Sequence, residues 1–418
     1  MTSPPDSGRA NIEARAAAQA FDLFALPADY IDAPWRYHRL LRDFDPIHAN
    51  ADGSVLLTRY ADVRTVWRDV SASVDKTEMF RAKFGEGPLL EHHTTAMLFR
   101  DPPDHDRLRA VVNPFFAPKQ IARFRLFIEQ LVDGLLDEVQ ERGSFDFVRD
   151  FASRIPIALI TRIMGVPPED GEHLRALGLR VLFPLNPRVP AEAIASGHEA
   201  AAEFAAYLAE HVEHARSRRG AGEPESVLEA LVASEGDGDD RVSESEIVQM
   251  CLLVLNGGHE TTTNLMAVGM NGLLDHPDQL RLLRDEPESL GATFVEELIR
   301  YVSPLQLQGR RLTRDLELPS GDLRAGTEVV LCQASANRDE RVFSDPDRLD
   351  LRRMPNGHVA FGLGVHVCIG RPLARLETSI AMPKVARRLA GIERTGDPVF
   401  SPNVRFRGLT SLPVAVRR

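Results

Sequence analysis

A single cysteine near the end of the chain has the surroundings of a metal ligand. Cys368 lies in the segment 361–370, Phe-Gly-Leu-Gly-Val-His-Val-Cys-Ile-Gly, and a predicted helix opens directly after it. Gly362, Gly364 and Gly370 allow a positive φ or a close approach of the backbone to a flat ligand. Free amide groups of the loop and the start of the helix would favour a thiolate. A lone thiolate suits a single axial ligand of haem iron, and the alternative is a buried structural cysteine.

The fixed positions F-G-x-G-x-H-x-C-x-G resemble the haem-binding loop of the cytochrome P-450 monooxygenases, soluble bacterial type. The resemblance extends over roughly residues 30 to 415 and implies a mainly α, cytochrome P-450-like fold. In that fold a large helical part with a long buried central helix accompanies a small β-rich region. The resemblance further implies haem b as cofactor, Cys368 as the axial ligand of its iron, and a haem-binding loop that includes Phe361, Gly362 and Gly370.

One long helix is predicted to cross the molecule. Ser243 and Glu246 fit a capping box at its start, and Asp275-His276-Pro277 ends it. Residues 247–274 are apolar on nearly all sides, which is typical of a helix buried in a large protein. At 1.5 Å per residue the helix would be about 45 Å long.

Two adjacent glycines interrupt this helix. Gly257 and Gly258 cost roughly 2 kcal/mol relative to alanine, and the missing side chains would open a groove for a flat cofactor or a diatomic ligand. Glu260 and Thr261 follow directly. The run resembles the family's oxygen-binding groove, which implies that Glu260 and Thr261 deliver protons during oxygen activation. The alternative is a solvent-facing glutamate beside a threonine that bonds the helix backbone.

An ion pair is predicted next to the cysteine loop. Glu297 and Arg300, at i and i+3, share one helix face. Their place between the groove helix and the loop resembles the family's E-x-x-R motif. The resemblance implies that Arg348 completes a structural triad, although Leu349 follows it where a phenylalanine is common.

Four cationic side chains from distant segments match the family's partners of the haem propionates. His105 and Arg109 lie at i and i+4 of one predicted helix, Arg310 lies in a β-type run, and His366 lies two residues before the cysteine. Carboxylates bind cations strongly, so the resemblance implies that these residues hold the haem. Arg311 is the alternative to Arg310.

The substrate pocket is expected to be mostly apolar. It would be lined by residues 80–99, 183–185 and 305–308 and by the groove helix, including Leu253. Asn256, one turn before Glu260, is predicted to share the distal face. We hypothesise that Asn256 and Gln306, or Gln308, fix a carbonyl or hydroxyl of the substrate. The alternative is that Asn256 bonds helix backbone.

Composition limits the classes of protein and the compartment. The chain has 418 residues, a net charge of −11 and three well-separated cysteines, Cys251, Cys332 and Cys368. The negative net charge argues against nucleic-acid binding, and three cysteines that are far apart in the chain fit a reducing compartment. No apolar stretch is long enough to span a membrane. A cytoplasmic, soluble protein is predicted, with residues 1–20 disordered and residues 21–418 forming one domain.

Local patterns predict a mostly helical chain. Helices are expected at 34–41, 61–69, 105–117, 118–142, 148–163, 168–183, 190–219, 224–234, 247–274 and 372–389. A hairpin is predicted at 47–60, where Asp52-Gly53 suits a tight turn, and a β-type run at 328–331.

The resemblance implies a monooxygenase that hydroxylates a C–H bond of a small to medium, mostly hydrophobic substrate with O2. Electrons would come from a ferredoxin and its NAD(P)H-dependent reductase, since no flavin or iron–sulfur motif is present. Arg107, Arg371 and Arg375 would form the docking patch for this acidic partner. The alternative is a haem-binding sensor or electron carrier without oxygenase activity, and the plainest alternative is a helical scaffold without haem.

Overall fold

The structure is a computed structural model that describes residues 7–218, 222–236, 238 and 240–416. Helices form most of these residues, as expected. The α-helices are α1 (Ser7–Gln19), α2 (Pro34–Phe44), α3 (Tyr60–Arg68), α4 (Thr77–Phe84), α5 (Pro88–Thr95), α6 (Asp104–Val112), α7 (Pro118–Ile121), α8 (Arg125–Arg142), α9 (Arg154–Met164), α10 (Gly171–Leu182), α11 (Ala191–Ser217), α12 (Val227–Ala233), α13 (Glu244–Asp275), α14 (Pro277–Asp285), α15 (Pro287–Leu290), α16 (Thr293–Val302), α17 (Gln333–Ala336) and α18 (Arg371–Arg388).

The strands are short and form a small β region. They are β1 (Ile47–Ala49), β2 (Val55–Leu57), β3 (Ala72–Ser73), β4 (Ser144–Asp146), β5 (Leu307–Leu312), β6 (Glu328–Cys332), β7 (Ile392–Arg394), β8 (Val399–Phe400), β9 (Leu409–Ser411) and β10 (Pro413–Val416). The largest sheet has the order β1-β2-β6-β5-β3, with only the β2–β6 pair parallel. Strands β4-β10-β7 form a second sheet, and β8 pairs with β9.

The central helix α13 organises the large helical core. It packs against α9, α10, α11, α16 and α18, and the predicted capping box between Ser243 and Glu246 is present at its start. Its 32 residues span about 48 Å. Because α18 begins directly after the Cys368 loop and packs on α13, these two helices fix the cysteine loop relative to the glycine pair.

The predicted disorder of residues 1–20 is wrong for the part that the structure describes. Residues 7–19 form α1, which packs against α2, and Ala18 is buried. Five of its thirteen residues are alanines, and alanine has the highest helix propensity. Residues 1–6 lie outside the described residues. Most other predicted elements are confirmed to within a few residues, including the hairpin of β1 and β2.

Candidate active site

The loop before Cys368 is shaped by two glycines with positive φ. Gly362 has φ +66° and Gly364 has φ +74°, and a Cβ at Gly364 would lie 2.6 Å from the Trp67 carbonyl oxygen. The Cys368 N–H closes the loop by donating to the Phe361 carbonyl oxygen at 2.9 Å. Gly370 differs from the expectation: its φ is −78°, and a Cβ there would only touch the Cys368 sulfur, at 3.9 Å.

The Cys368 sulfur is accessible even though protein surrounds it. The side chain is exposed, while its environment is crowded enough that burial raises the pKa of the thiol. Amide groups of Gly370 and Arg371, and the charges of Arg109 and Arg371, act in the opposite direction without cancelling it. The amide groups therefore act in the predicted direction, but burial of the sulfur outweighs them. A bound metal ion would complete the deprotonation, since a coordinating thiol loses its proton.

The central section of α13 opens on one face only. Between Met250 and Leu273 every residue is buried except Leu253, Gly257, Gly258, Glu260 and Thr261. Leu253, Gly257 and Thr261 follow one another at i, i+4 and i+8, which places them on one face of the helix. A Cβ at Gly257 would meet nothing within 4 Å. We call Leu253, Gly257 and Thr261 the open stripe.

The two glycines of α13 have different roles. A Cβ at Gly258 would lie 2.4 Å from Cγ1 of Ile160 in α9, so this glycine allows two helices to pack closely. Only Gly257 contributes open space. The expectation that Gly258 binds the cofactor is wrong for this reason.

The predicted acid–alcohol pair lies at the edge of the open stripe. The Thr261 hydroxyl donates to the Gly257 carbonyl oxygen at 3.3 Å. The Glu260 carboxylate accepts a hydrogen bond from the Asn264 side-chain amide at 2.9 Å. Both residues are half-buried, so each has a fixed orientation and an accessible polar atom.

The four predicted propionate partners come together in space. The His105 and His366 rings lie 4.2 Å apart, and Arg109 donates to the carbonyl oxygens of Val365 and Val367 at 3.0 and 2.8 Å. Burial, followed by the positive charges of His105, Arg310 and Arg109, lowers the pKa of His366 to about 3.

Arg310 is a buried cation without a carboxylate partner among the described residues. Its side chain donates only to the Gly309 carbonyl oxygen, at 2.8 Å, and burial followed by the charge of Arg405 lowers its pKa to about 10. Arg311, in contrast, is half-exposed and lies 3.9 Å from Glu328. The geometry therefore favours Arg310 over Arg311 as the cation that faces a ligand.

These observations fit haem. One accessible sulfur can bind the iron, the bare Gly257 backbone leaves open space on α13, and the uncompensated charge around Arg310 and Arg109 suits the two propionates. Within the described ranges no group of three or more His, Cys, Asp or Glu side chains could hold a metal ion instead.

The predicted bracing pair is present, but its third member is a different arginine. Arg300 donates to both oxygens of Glu297, at 2.7 and 2.8 Å, and both side chains are fully buried. Arg353, not Arg348, adds the second guanidinium, 3.1 Å from the same carboxylate. The Arg348 residue is exposed and contributes only its carbonyl oxygen, which accepts from Arg300 at 3.3 Å.

The predicted polar anchors of the pocket do not face the open stripe. Asn256 is buried against α10, where its Oδ1 lies 2.1 Å from the position of a Cβ at Gly178. Gln306 donates to the carbonyl oxygens of Val302 and Ser303. Gln308 accepts from the Trp67 indole at 3.1 Å. The hypothesis of a polar pair is wrong, because α10 covers Asn256 and both glutamines bond neighbouring groups, whereas Leu253 does lie on the open stripe. Neither polar atom of the Asn256 side chain has a hydrogen-bond partner in the described structure, so the alternative of a bond to helix backbone is wrong as well.

Two of the three arginines of the expected docking patch are already paired. Arg107 lies 2.6 Å from a carboxylate oxygen of Glu246. Arg375 lies 2.6 Å from Glu296. Burial raises the pKa of Glu296, but hydrogen bonds from Arg375 and His358 outweigh burial and lower this pKa to about 2. Arg371 is exposed, and it alone of the three makes no hydrogen bond or ion pair with the rest of the described chain.

Sequence reasoning missed a group of buried cations. Lys76 and Lys83 lie at the two ends of α4, and Arg405 comes from a distant loop; Lys76 is buried, and the other two are half-buried. The alternation Arg405-Phe406-Arg407 in a predicted irregular segment was the only signal. Arg353 was also missed, although it stands directly before the segment that leads into the cysteine loop.

Three features together define the haem-thiolate class of protein. They are an accessible cysteine ligand, a central helix that a glycine opens on one face, and a cluster of cationic side chains. The family model described as "Cytochrome P450" matches residues 174–391. The chain belongs to the cytochrome P450 family and is an oxidoreductase, a cytochrome P450 monooxygenase with haem as its cofactor. None of the helices in the described part of the chain is long and apolar enough to cross a membrane.

Bacterial relatives cover nearly the whole chain. "Cytochrome P450 monooxygenase PikC" of Streptomyces venezuelae is 34% identical over 96% of this chain and 96% of the relative. "Vitamin D(3) 25-hydroxylase" of Pseudonocardia autotrophica is 36% identical over 94% of this chain and 96% of the relative. P450BioI, solved with an acyl carrier protein ligated to hexadec-9Z-enoic acid, has a TM-score of 0.86 and 31% identity. It matches 93% of this chain and 99% of its own. The predicted fold is thereby confirmed.

Proposed function

We propose that this P450 hydroxylates a C–H bond of a small to medium, mostly hydrophobic organic molecule. The observation that carries the proposal is the open stripe on α13, with Glu260 and Thr261 at its edge. A sensor or electron carrier needs the cysteine ligand but has no use for a groove with an acid and an alcohol. Relatives with very different named substrates share the fold, so substrate choice must depend on the residues around the stripe.

Different residues of the chain would bind the haem and supply protons. Cys368 would hold the haem iron, Arg109 and Arg310 would neutralise the propionates, and His105 and His366 would donate hydrogen bonds to them. When bound, haem supplies the reductive activation of O2 and the transfer of one oxygen atom to carbon. The Thr261 hydroxyl would donate a proton at the open face of α13.

Glu260 would resupply the proton that Thr261 donates, and Asn264 keeps its carboxylate oriented. Gly257 leaves space at the stripe for a diatomic ligand, and Leu253 presents an apolar surface to the substrate. A hydroxyl and a carboxylate in these places act as a general acid and its proton source.

Electrons would come from a ferredoxin and its NAD(P)H-dependent reductase. The cysteines other than Cys368 are both buried, and burial raises the pKa of the Cys332 thiol to about 12. The common iron–sulfur clusters take four cysteine ligands. This chain has three cysteines, and two of them are buried, so they cannot supply such a set. Arg371 is the remaining candidate for contact with an acidic partner. Three unpaired cysteines also support a reducing, cytoplasmic location.

The test is a pair of threonine variants of the haem-loaded enzyme, supplied with a ferredoxin, its reductase and a panel of apolar substrates. Thr261→Ala should lower product formed per NAD(P)H consumed by about a hundredfold, the lower end of the contribution of a positioned proton donor. Thr262→Ala removes a buried hydroxyl on another face of α13 and should keep the wild-type ratio. Wild-type protein that binds haem and accepts electrons but oxidises no substrate would favour the sensor or carrier.

A further inference from the structure

The described residues include a group of buried cations that the haem does not require. Lys76 precedes α4, Lys83 lies in α4, and Arg405 lies in the loop between β8 and β9. The buried Nε of Arg405 has no hydrogen-bond partner, and the rest of its side chain makes no hydrogen bond within the described residues. A buried guanidinium nitrogen without a partner and without a nearby carboxylate is costly, so its retention points to a ligand.

Contacts with Asn186 and Gly309 hold the three cations close to one another. The Asn186 side-chain oxygen accepts from the Arg405 N–H at 3.1 Å, and the Asn186 carbonyl oxygen accepts from the Lys83 ammonium. The Lys76 Nζ lies 2.4 Å from the position of a Cβ at Gly309, the residue before Arg310. Lys76 therefore lies nearest to the cations of the haem propionates, and Lys83 and Arg405 extend the positive region beyond them.

No carboxylate in the described part of the chain pairs with any of the three. Burial, followed by the charges of Arg405 and Arg310, lowers the pKa of Lys76 to about 7, although Glu328 acts in the opposite direction. Burial, followed by the charge of Arg405, lowers the pKa of Lys83 to about 8. The positive charge of Arg405 therefore acts on both lysines.

Buried aromatic side chains pack against this positive region and extend from it toward α13. The Lys76 Nζ lies 5.0 Å from the centre of the Phe80 ring, and Phe80 stacks on Phe84 at 5.3 Å. His93 contacts both rings and also His92. The His92 ring bonds the Gln249 side chain at 3.0 Å. Gln249 lies one turn before Leu253, so the aromatic group stands at the end of the stripe.

From this arrangement we infer that Arg405 and Lys83, with Lys76 beside them, bind the carboxylate of an amphiphilic substrate whose apolar body reaches the open stripe. The inference rests on the proposed monooxygenase function and narrows its substrate to an organic acid. A guanidinium and an ammonium suit a carboxylate because charge-assisted hydrogen bonds to it are strong. The cations at Arg405 and Lys83 take the place of the polar anchor that was expected at Asn256. The group of the substrate that they bind is an anion rather than a carbonyl.

The test compares dodecanoate with methyl dodecanoate as ligands of the haem-loaded protein. Calorimetry reports affinity, and the optical spectrum reports displacement at the haem. Dodecanoate should bind at least about tenfold more tightly than the ester, which corresponds to about 1.4 kcal/mol. Arg405→Gln should weaken the acid by about tenfold and leave the ester unchanged.

Lys83→Gln provides a second variant should Arg405→Gln fold poorly, and it should show the same loss in a smaller degree. Lys119→Gln removes an exposed charge of α7 and should keep the preference for the acid. Equal affinity for acid and ester, or no binding of the acid, overturns the inference. So does a preference that survives both variants. A wild-type protein without a haem-thiolate spectrum would instead refute the proposed function, and calorimetry would still decide whether the acid binds at Arg405.

Discussion

The Nε of Arg353 lies 3.1 Å from both carboxylate oxygens of Glu297, a residue 56 positions earlier in the chain. The same carboxylate receives two bonds from Arg300 and one from the backbone N–H of Asp350. One fully buried acid therefore joins α16 to the segment that leads into the Cys368 loop. A carboxylate shared by two guanidinium groups fixes the direction in which the chain enters the loop.

Replacing Arg353 should damage the fold far more than replacing Arg348. Arg353→Ala leaves part of the charge on a buried carboxylate unpaired, and the expected loss is about 3 kcal/mol in the free energy of unfolding. Arg348→Ala removes an exposed side chain and should cost less than about 0.5 kcal/mol. Urea unfolding followed by circular dichroism measures both. Equal losses would show that Arg353 does not brace Glu297.

The neighbouring glycines of α13 should respond differently to one added methyl group. Gly258→Ala places a Cβ against Ile160 and should destabilise the protein by about 1–3 kcal/mol. Gly257→Ala meets open space, so thermal unfolding should change little or rise slightly, because alanine favours the helix. Affinity of the haem-loaded protein for bulky substrates should fall in Gly257→Ala alone. A larger loss of stability at Gly257 than at Gly258 would contradict the assignment.

Glu377, in α18, should make the protein less stable as the pH rises. Burial raises the pKa of its carboxyl well above the ordinary value, and neither oxygen has a hydrogen-bond partner in the described structure. The folded chain therefore keeps a proton that the unfolded chain releases above about pH 4.5, so the free energy of unfolding falls with increasing pH.

The Glu377→Gln variant lacks this titration. Its stability relative to wild type should increase between pH 5 and pH 8, as measured by urea unfolding at each pH. Glu141→Gln, at an exposed position of α8, serves as the control and should show no such trend. A constant difference between Glu377→Gln and wild type across this range would mean that the carboxyl titrates normally.

Lys76 should have the opposite pH dependence. Its pKa is lowered to about 7, chiefly by burial and by Arg405. Between pH 7 and about 10.5 the unfolded chain binds a proton that the folded chain does not, so wild-type stability rises with pH. Lys76→Met should be the more stable protein, by more than about 1.4 kcal/mol at pH 7. The advantage should shrink toward pH 9, whereas a pH-independent difference would contradict it.

The parts of the site that could be predicted from sequence are those with local spacing. The glycine loop of Cys368, the capping box of α13 and the Glu297–Arg300 pair each lie within ten residues, where helix and turn geometry fix the neighbours. The pairing of Arg353 with Glu297 depends on the path of an irregular segment. No local pattern distinguishes Arg353 from Arg348 as the partner.

The orientation of Asn256 shows a second limit. A spacing of one turn places Asn256 near Glu260 on the helix surface, and this much is correct. Whether that surface is open depends on where α10 crosses α13, and Gly178 allows α10 to cover Asn256. The same reasoning applies to Lys76, Lys83 and Arg405, which meet only because α4 and the distant loop between β8 and β9 converge. Contacts between distant segments are set by packing, which a single sequence does not display.

Because the open stripe is narrow, substitutions on α13 and substitutions outside it would have different effects on this enzyme. Nearly all of α13 between Met250 and Leu273 is committed to packing, so most substitutions there would alter folding rather than the choice of substrate. The residues that would recognise the substrate's charged end lie outside this helix, at α4 and in the loop between β8 and β9. New specificities can therefore arise by exchanging those segments, while the helix that carries the chemistry is inherited unchanged.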